Sequence, residues 1–401
     1  MSTSIHSKSE SAPEINIESV WTITSVVIAS AIALLALYLA PVLVGEYITQ
    51  LGVSETRAGL ILSIELAGFT IGSAAMFMLL SVSWRKILFF AIILMIISNL
   101  VLLQVNSLTS FIICRFVAGL GAGLIMTLTI QVIGLMRNPD RVYGIWTVGQ
   151  LSLGALGMIV FPIVVAAGGI EAVFVIWTIL AAILFFFIRF FPNERNPVHN
   201  PHAQNLDTET ESAAQLRPGL LALLGLLIYY AGMAGVWVYI ERVGNSWGIA
   251  PDVIANILFI SLLIAIIGAV VAIMIDDKFG RAKPISISLA ISALAMMMLM
   301  RSNGPMVFLI AACLFNFGWY LFLPYISAVI AATDNNGNLL TGLAVTFPAA
   351  LAGGPAIAAM LIGSTESLLP VLIYGTVSVP LGLALILPAT GAFNDFTKEM
   401  L

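Results

Sequence analysis

Charge is what this chain most lacks. Of 401 residues, 16 are Lys or Arg and 20 are Asp or Glu, 9% in all, whereas 60% are hydrophobic and the mean hydropathy is +1.08. Soluble domains carry roughly 45–50% apolar and about 25% charged residues, so this chain has too little polar surface to cover itself in water. Cysteine is almost missing: Cys114 and Cys313 both fall in apolar runs, which excludes a disulfide framework and leaves two packed thiols. The three histidines lie in the first residues or in the polar stretch 189–217, so no Ser/His/Asp constellation exists. His199-x-x-His202 lacks acidic or cysteine partners at metal-ligand spacing, and no metal or cofactor is expected. No Gly-x-x-x-x-Gly-Lys-Ser/Thr loop is present, which excludes ATP as a direct power source. Without a basic patch, nucleic acid is excluded as a partner. Nothing supports an enzyme.

What is present is a series of uncharged runs. Residues 19–45, 87–114, 116–136, 142–170, 218–240, 253–275, 302–333, 335–365 and 367–394 contain no Asp, Glu, Lys or Arg. Each can cross a bilayer as a helix at about 20 residues per crossing. The runs are solidly apolar rather than alternating, so an all-α bundle is expected and not a barrel. Turn residues and charges punctuate the chain into twelve helices, at roughly 22–45, 58–81, 86–105, 108–135, 142–168, 171–190, 218–240, 252–275, 283–300, 304–332, 339–363 and 367–390. The expected organisation is a tail over 1–21, a six-helix half over 22–190, a polar loop over 191–217, a second half over 218–390 and a tail over 391–401. The polar N-terminal stretch has no basic region or cleavage site and is not read as a signal peptide.

Lys and Arg set the expected orientation. With an even helix count, Lys8, Arg85, Lys86, Arg137, Arg141, Arg189, Arg195, Arg217, Lys278, Arg281, Lys283 and Lys398 fall on the side of the termini, against Arg57, Arg242 and Arg301 on the other. The excess places both termini in the cytoplasm, and the compact loops suggest a bacterial inner membrane; a monomer is expected. The halves are weakly similar: a shift of 196 residues matches Leu62, Ile71, Gly72 and Arg85 with Leu258, Ile267, Gly268 and Arg281, and a shift of 199 matches Cys114, Phe116 and Gly119 with Cys313, Phe315 and Gly318. Parallel six-helix repeats are an architecture of secondary transporters.

The stretch "MIDDKFGRAKPI", 274–285, puts five charges into twelve residues after an uncharged run. Asp277, Lys278, Gly280 and Arg281 there resemble the signature turn of the major facilitator superfamily, Gly-x-x-x-Asp-Arg/Lys-x-Gly-Arg-Arg/Lys. Ile273 stands for the first glycine and Ala282 for the last cation. The equivalent turn in the first half, "LLSVSWRK", keeps only Arg85 and Lys86. "CRFVAGLGAGLIMT" is similar to the family's Arg-Phe-x-x-Gly-x-Gly-x-Gly pattern, through Arg115, Gly119, Gly121 and Gly123. The glycines and Pro162 of "GIWTVGQLSLGALGMIVFP" loosely resemble the exporter motif. The resemblance implies a fold of two six-helix halves, with Asp277, Gly280, Arg281 and Arg85 as a cytoplasmic latch and the first, fourth, seventh and tenth helices lining a central cavity.

An ionisable residue inside a membrane helix is costly and is a functional candidate by default. Glu65 and Arg115 qualify, expected at similar depth in the outer half of the second and fourth helices, and are read as proton-coupling or substrate-charge residues. Glu46, Glu241 and Arg242 lie near the outer interface, either as ordinary interface charges or as an outer gate pairing across the halves. Tyr229, Tyr230, Trp237, Trp319 and Tyr320, with Gln131 and Gln150, are candidate cavity residues. Three functions follow as expectations. The first is a proton- or Na⁺-coupled transporter of a small organic anion or amphipathic solute. The second is a multidrug or lipophilic-cation exporter, in which Glu65 or Glu46 attracts the cation and the aromatic residues stack on it. The third is a non-transporting sensor or lipid-handling protein.

Overall fold

The computed structural model describes residues 17–79, 81–105, 107–193, 213–275, 278–301, 304–334 and 338–399. Among the described residues thirteen α-helices follow one another: α1 (Val20–Ala33), α2 (Leu35–Tyr38), α3 (Ala40–Leu51), α4 (Glu55–Ala75), α5 (Trp84–Leu102), α6 (Leu108–Gly134), α7 (Pro139–Phe187), α8 (Ala213–Ser246), α9 (Pro251–Ile275), α10 (Ala282–Arg301), α11 (Pro305–Ala332), α12 (Asn338–Thr365) and α13 (Leu369–Glu399). They make twelve crossings. The first is broken into α1, α2 and α3, and α7 folds back on itself to make two.

Local chemistry explains both departures from one helix per crossing. Pro41, near the start of α3, has no N–H to donate to the carbonyl of Leu37 four residues back, and the chain loosens at Leu34 and Leu39 on either side of α2. In α7 the helical geometry fails at Gly168 and at Gly169, whose φ of 66° only glycine adopts readily. The reversed chain is pinned there by Gln50, whose side-chain oxygen accepts from the Ile170 N–H at 2.8 Å. Elsewhere helix starts follow capping rules: Ser54, Ser107 and Asn138 accept from the N–H groups of Arg57, Ser110 and Arg141.

Helix α8 begins inside the stretch read as loop, and α13 continues to Glu399 through the stretch read as a tail. Helices α1 to α7 form one half and α8 to α13 the other. Across the junction α4 packs on α12, α7 on α9 and α3 on α8. The first two seams are related by the exchange of halves. Large apolar side chains such as Phe89, Phe90, Ile97, Ile183 and Met297 stand exposed around the bundle, as a lipid-facing surface requires.

Candidate functional site

Glycine brings α4 and α6 close enough for their charges to meet. Gly68 and Gly72 lie against backbone carbonyls of Phe116 and Leu120, and Gly119 and Gly123 lie against those of Glu65 and Phe69, so that a Cβ at any of the four would collide with main chain. Small residues four apart allow such an approach. Glu65, ten residues along α4 from Glu55, is about 15 Å from the helix start at 1.5 Å per residue, near the middle of a 30 Å hydrocarbon layer.

There Arg115 and Glu65 form a forked ion pair: Nε donates to Oε2 at 3.0 Å and Nη2 to Oε1. Arg115 is 1% exposed and Glu65 5%. The Arg115 Nη1 donates to Asn99 Oδ1 of α5 at 3.1 Å. The guanidinium carbon lies 5.0 Å from the Trp177 ring centre and 5.4 Å from that of Phe174. On α3 the Tyr47 hydroxyl sits beside the guanidinium without a hydrogen bond of good geometry. A small cavity adjoins the pair, lined also by Ala36, Met95 and Ala118. The structure thus brings the two buried charges together, and it does so inside the first half rather than between the halves. Arg115 offers no unpaired charge to an anion.

The candidate aromatic residues occupy different ground. Tyr320 of α11 donates to the Tyr38 hydroxyl at 3.3 Å, and Tyr38 donates to Gln150 Oε1 of α7 at 3.2 Å, a chain that crosses the junction. Trp237 of α8 donates its indole N–H to the Leu37 carbonyl at 3.0 Å. That carbonyl is the one Pro41 leaves without its helical partner. Leu37, Tyr38, Trp237, Asn316, Trp319 and Tyr320 surround a second small cavity, together with Leu262. Both cavities have room for little more than a water molecule, so an organic solute would require the halves to part.

Tyr230 stacks edge-on against Trp319 and Phe347 and donates to the Trp319 carbonyl at 3.3 Å. Tyr229 shares a 2.9 Å bond with Ser292 and so faces the interior of the second half. Gln131 is half-buried on α6 and stands apart from this cluster's hydrogen bonds.

The end of the bundle away from the termini is closed by cross-half bonds. Arg242 Nε and Nη2 both reach Glu55 Oε1, at 3.0 and 2.9 Å. The Tyr239 hydroxyl donates to the Glu55 carbonyl at 3.0 Å; deeper along α4, two residues before Glu65, Ser63 makes a further cross-half bond to the Ala352 carbonyl at 2.6 Å. Glu46, expected among the cross-half residues, instead accepts from Gln50 and Thr49 on its own helix. Glu55 was not legible as its replacement, because an acid after a serine cap is ordinary helix-start chemistry. Glu241 is buried at 7% exposure, so it is not an interface charge reaching water.

At the opposite end Arg85 donates to the carbonyls of Phe191 and Arg189, at 2.8 and 3.0 Å. Arg281 donates to that of Ala328 on α11, and Gly280 takes a φ of 67° in the turn. These bonds hold each turn within its own half. Asp277 and the two loop histidines lie outside the described residues. Cys114 and Cys313 are free thiols.

Residues 26–224 match the model of the Major Facilitator Superfamily. No curated protein matches the chain in sequence. Among solved structures, a D-xylose-proton symporter aligns with a TM-score of 0.71 and 18% identity over 91% of this chain and 95% of its own. A peptide transporter, POT, gives 0.74 and 13% over 93% and 95%. The human organic anion transporter MFSD10 gives 0.64 and 16% over 92% and 99%. At these identities the likeness is one of fold.

Proposed function

We propose that this chain, which belongs to the major facilitator superfamily, is a proton-coupled secondary transporter that moves a small amphipathic organic solute by alternating access. The end bearing the termini is read as cytoplasmic from the Lys and Arg bias, and the end closed by Arg242 and Glu55 as the outer one. The observation that carries the reading is the Glu65–Arg115 pair, buried near mid-membrane beside a small cavity. Charges in that position are costly to keep and mark ion or proton pathways. A proton on Glu65 would remove half of the pair, and the Tyr47 hydroxyl stands ready as another acceptor for Arg115.

The solute site is assigned to the junction around Tyr38, Gln150, Trp237, Asn316 and Trp319. Its aromatic faces and neutral hydrogen-bonding groups suit a partly apolar molecule. Both Glu65 oxygens already hold Arg115, so the pair is assigned to proton coupling and not to binding an anionic solute. A second reading, export of a lipophilic cation, is favoured by the same aromatic faces, which attract cations.

The test is ligand-induced stabilisation of the purified protein, since whatever binds only the folded state raises its Tm. Uncharged amphipathic solutes or lipophilic cations should stabilise the parent, and Trp237→Ala and Gln150→Ala should lose the effect while Arg115→Met keeps it. Carboxylates whose effect vanishes in Arg115→Met would move the solute site to the first half and overturn this assignment. For a hit, proteoliposomes with an imposed pH gradient should show accumulation by the parent and only exchange by Glu65→Gln; undiminished accumulation by the variant would remove Glu65 from the coupling.

A further inference from the structure

Glu241 poses a separate problem at the closed outer end. Its Oε1 accepts from the Asn245 side chain one turn on, but its Oε2 is buried without any hydrogen-bond partner among the described residues. That oxygen lies over Gly45 of α3, where even a Cβ would come within 3.0 Å of it. The contact therefore exists only while α3 and α8 are together, and glycine is what permits it.

The charged groups in reach are Glu46 on α3, Glu55 on α4 and Arg242 on α8 itself. Arg242 is engaged by Glu55, and Glu46 is engaged by its own helix. The one guanidinium near these three carboxylates is thus bonded to Glu55, and among the described residues Glu241, which is withdrawn from water, has no ion-pair partner of its own. A buried carboxylate oxygen facing no donor costs free energy that a bound proton removes.

We propose that Glu241 is a second proton site, distinct from Glu65, which takes a proton from outside water as α8 closes on Gly45 and returns it when the outer ends part. The reaction is the protonation of the free carboxylate oxygen and its reversal, with outer water as donor and acceptor. Closure and protonation are then linked, so the outer-closed form gains population as the pH falls. The inference rests on the orientation assigned above and is independent of any role for Glu65.

The experiment uses the full-length protein in lipid nanodiscs, with Cys114 and Cys313 replaced by serine and spin labels at Gln104→Cys and Ala250→Cys, which are exposed at the outer ends of the two halves. In the parent the ratio of separated to closed distances should rise with pH by up to about tenfold per unit, the limit for one linked proton. Glu241→Gln should flatten that dependence and favour the closed distance, whereas Glu241→Asp should retain a pH response. Infrared spectra should show a protonated carboxyl band that Glu241→Gln removes and Glu65→Gln leaves. A pH response in Glu241→Gln equal to the parent's overturns the proposal, and so does a carboxyl band removed only by Glu65→Gln. The second result would leave the Glu65 coupling standing, so the two readings fail separately. Thermal unfolding of each variant shows that it is folded.

Discussion

The two halves of the bundle bridge matching helix pairs with different chemistry. Between α4 and α6 the bridge is an ion pair, Glu65 with Arg115, supported by Asn99 and two aromatic rings. Between α9 and α11 it is a neutral bond, Asn316 to the Ser261 hydroxyl at 3.0 Å. The shift of 196 residues that aligns the halves puts Ser261 opposite Glu65. A repeated fold has kept a titratable pair in one copy and a fixed polar bond in the other. The proton coupling proposed for Glu65 lies in the first half, whereas Trp237, Trp319 and Tyr320 of the second line the cavity at the junction.

The largest break in this comparison should come from unpairing the first bridge. Arg115→Met strands a carboxylate in an apolar interior and should cost about 3–5 kcal/mol, read as a fall in Tm. Adding Glu65→Leu should recover most of that loss, because an uncharged pair of similar bulk no longer needs a partner; failure to recover would mean that the site depends on more than its charge balance. Next, Gly119→Ala should cost about 1–3 kcal/mol by forcing α6 off the Glu65 carbonyl. Gly353→Ala, where nothing lies within reach, should leave Tm nearly unchanged. Asn316→Ala should cost only about 0.5–1.5 kcal/mol, the net worth of an ordinary hydrogen bond, and, because Asn316 lines the assigned solute site, should weaken ligand-induced stabilisation as Trp237→Ala does. Smallest in stability is Arg242→Ala, whose ion pair is a quarter exposed and contributes at most about 1 kcal/mol. Its effect should show instead as faster labelling of Thr56→Cys by a membrane-impermeant thiol reagent.

Much of this was visible in the residues themselves. Glu65 and Arg115 stand out because a charge inside an apolar helix has no ordinary explanation. Tyr38, Asn99 and Asn316 do not, since neutral polar and aromatic side chains are common in such helices and gain meaning only from what they face. Glu55 hides behind the rules of helix starts. Glu241 was legible as a residue near an interface, but its isolation depends on Gly45, a glycine roughly two hundred positions away in the chain.

The sequence by itself determined that the chain spans a membrane twelve times in two related halves. Charge-free runs of sufficient length have no other stable solution in lipid, and their punctuation by Gly, Pro and charge is local. Only the tertiary structure decided that Arg115 is spent on Glu65, that Trp237 caps the carbonyl freed by Pro41, and that Glu241 is buried without an ion-pair partner among the described residues. Those are pairings between helices, and hydrophobic periodicity says which residues leave water but not which of them meet.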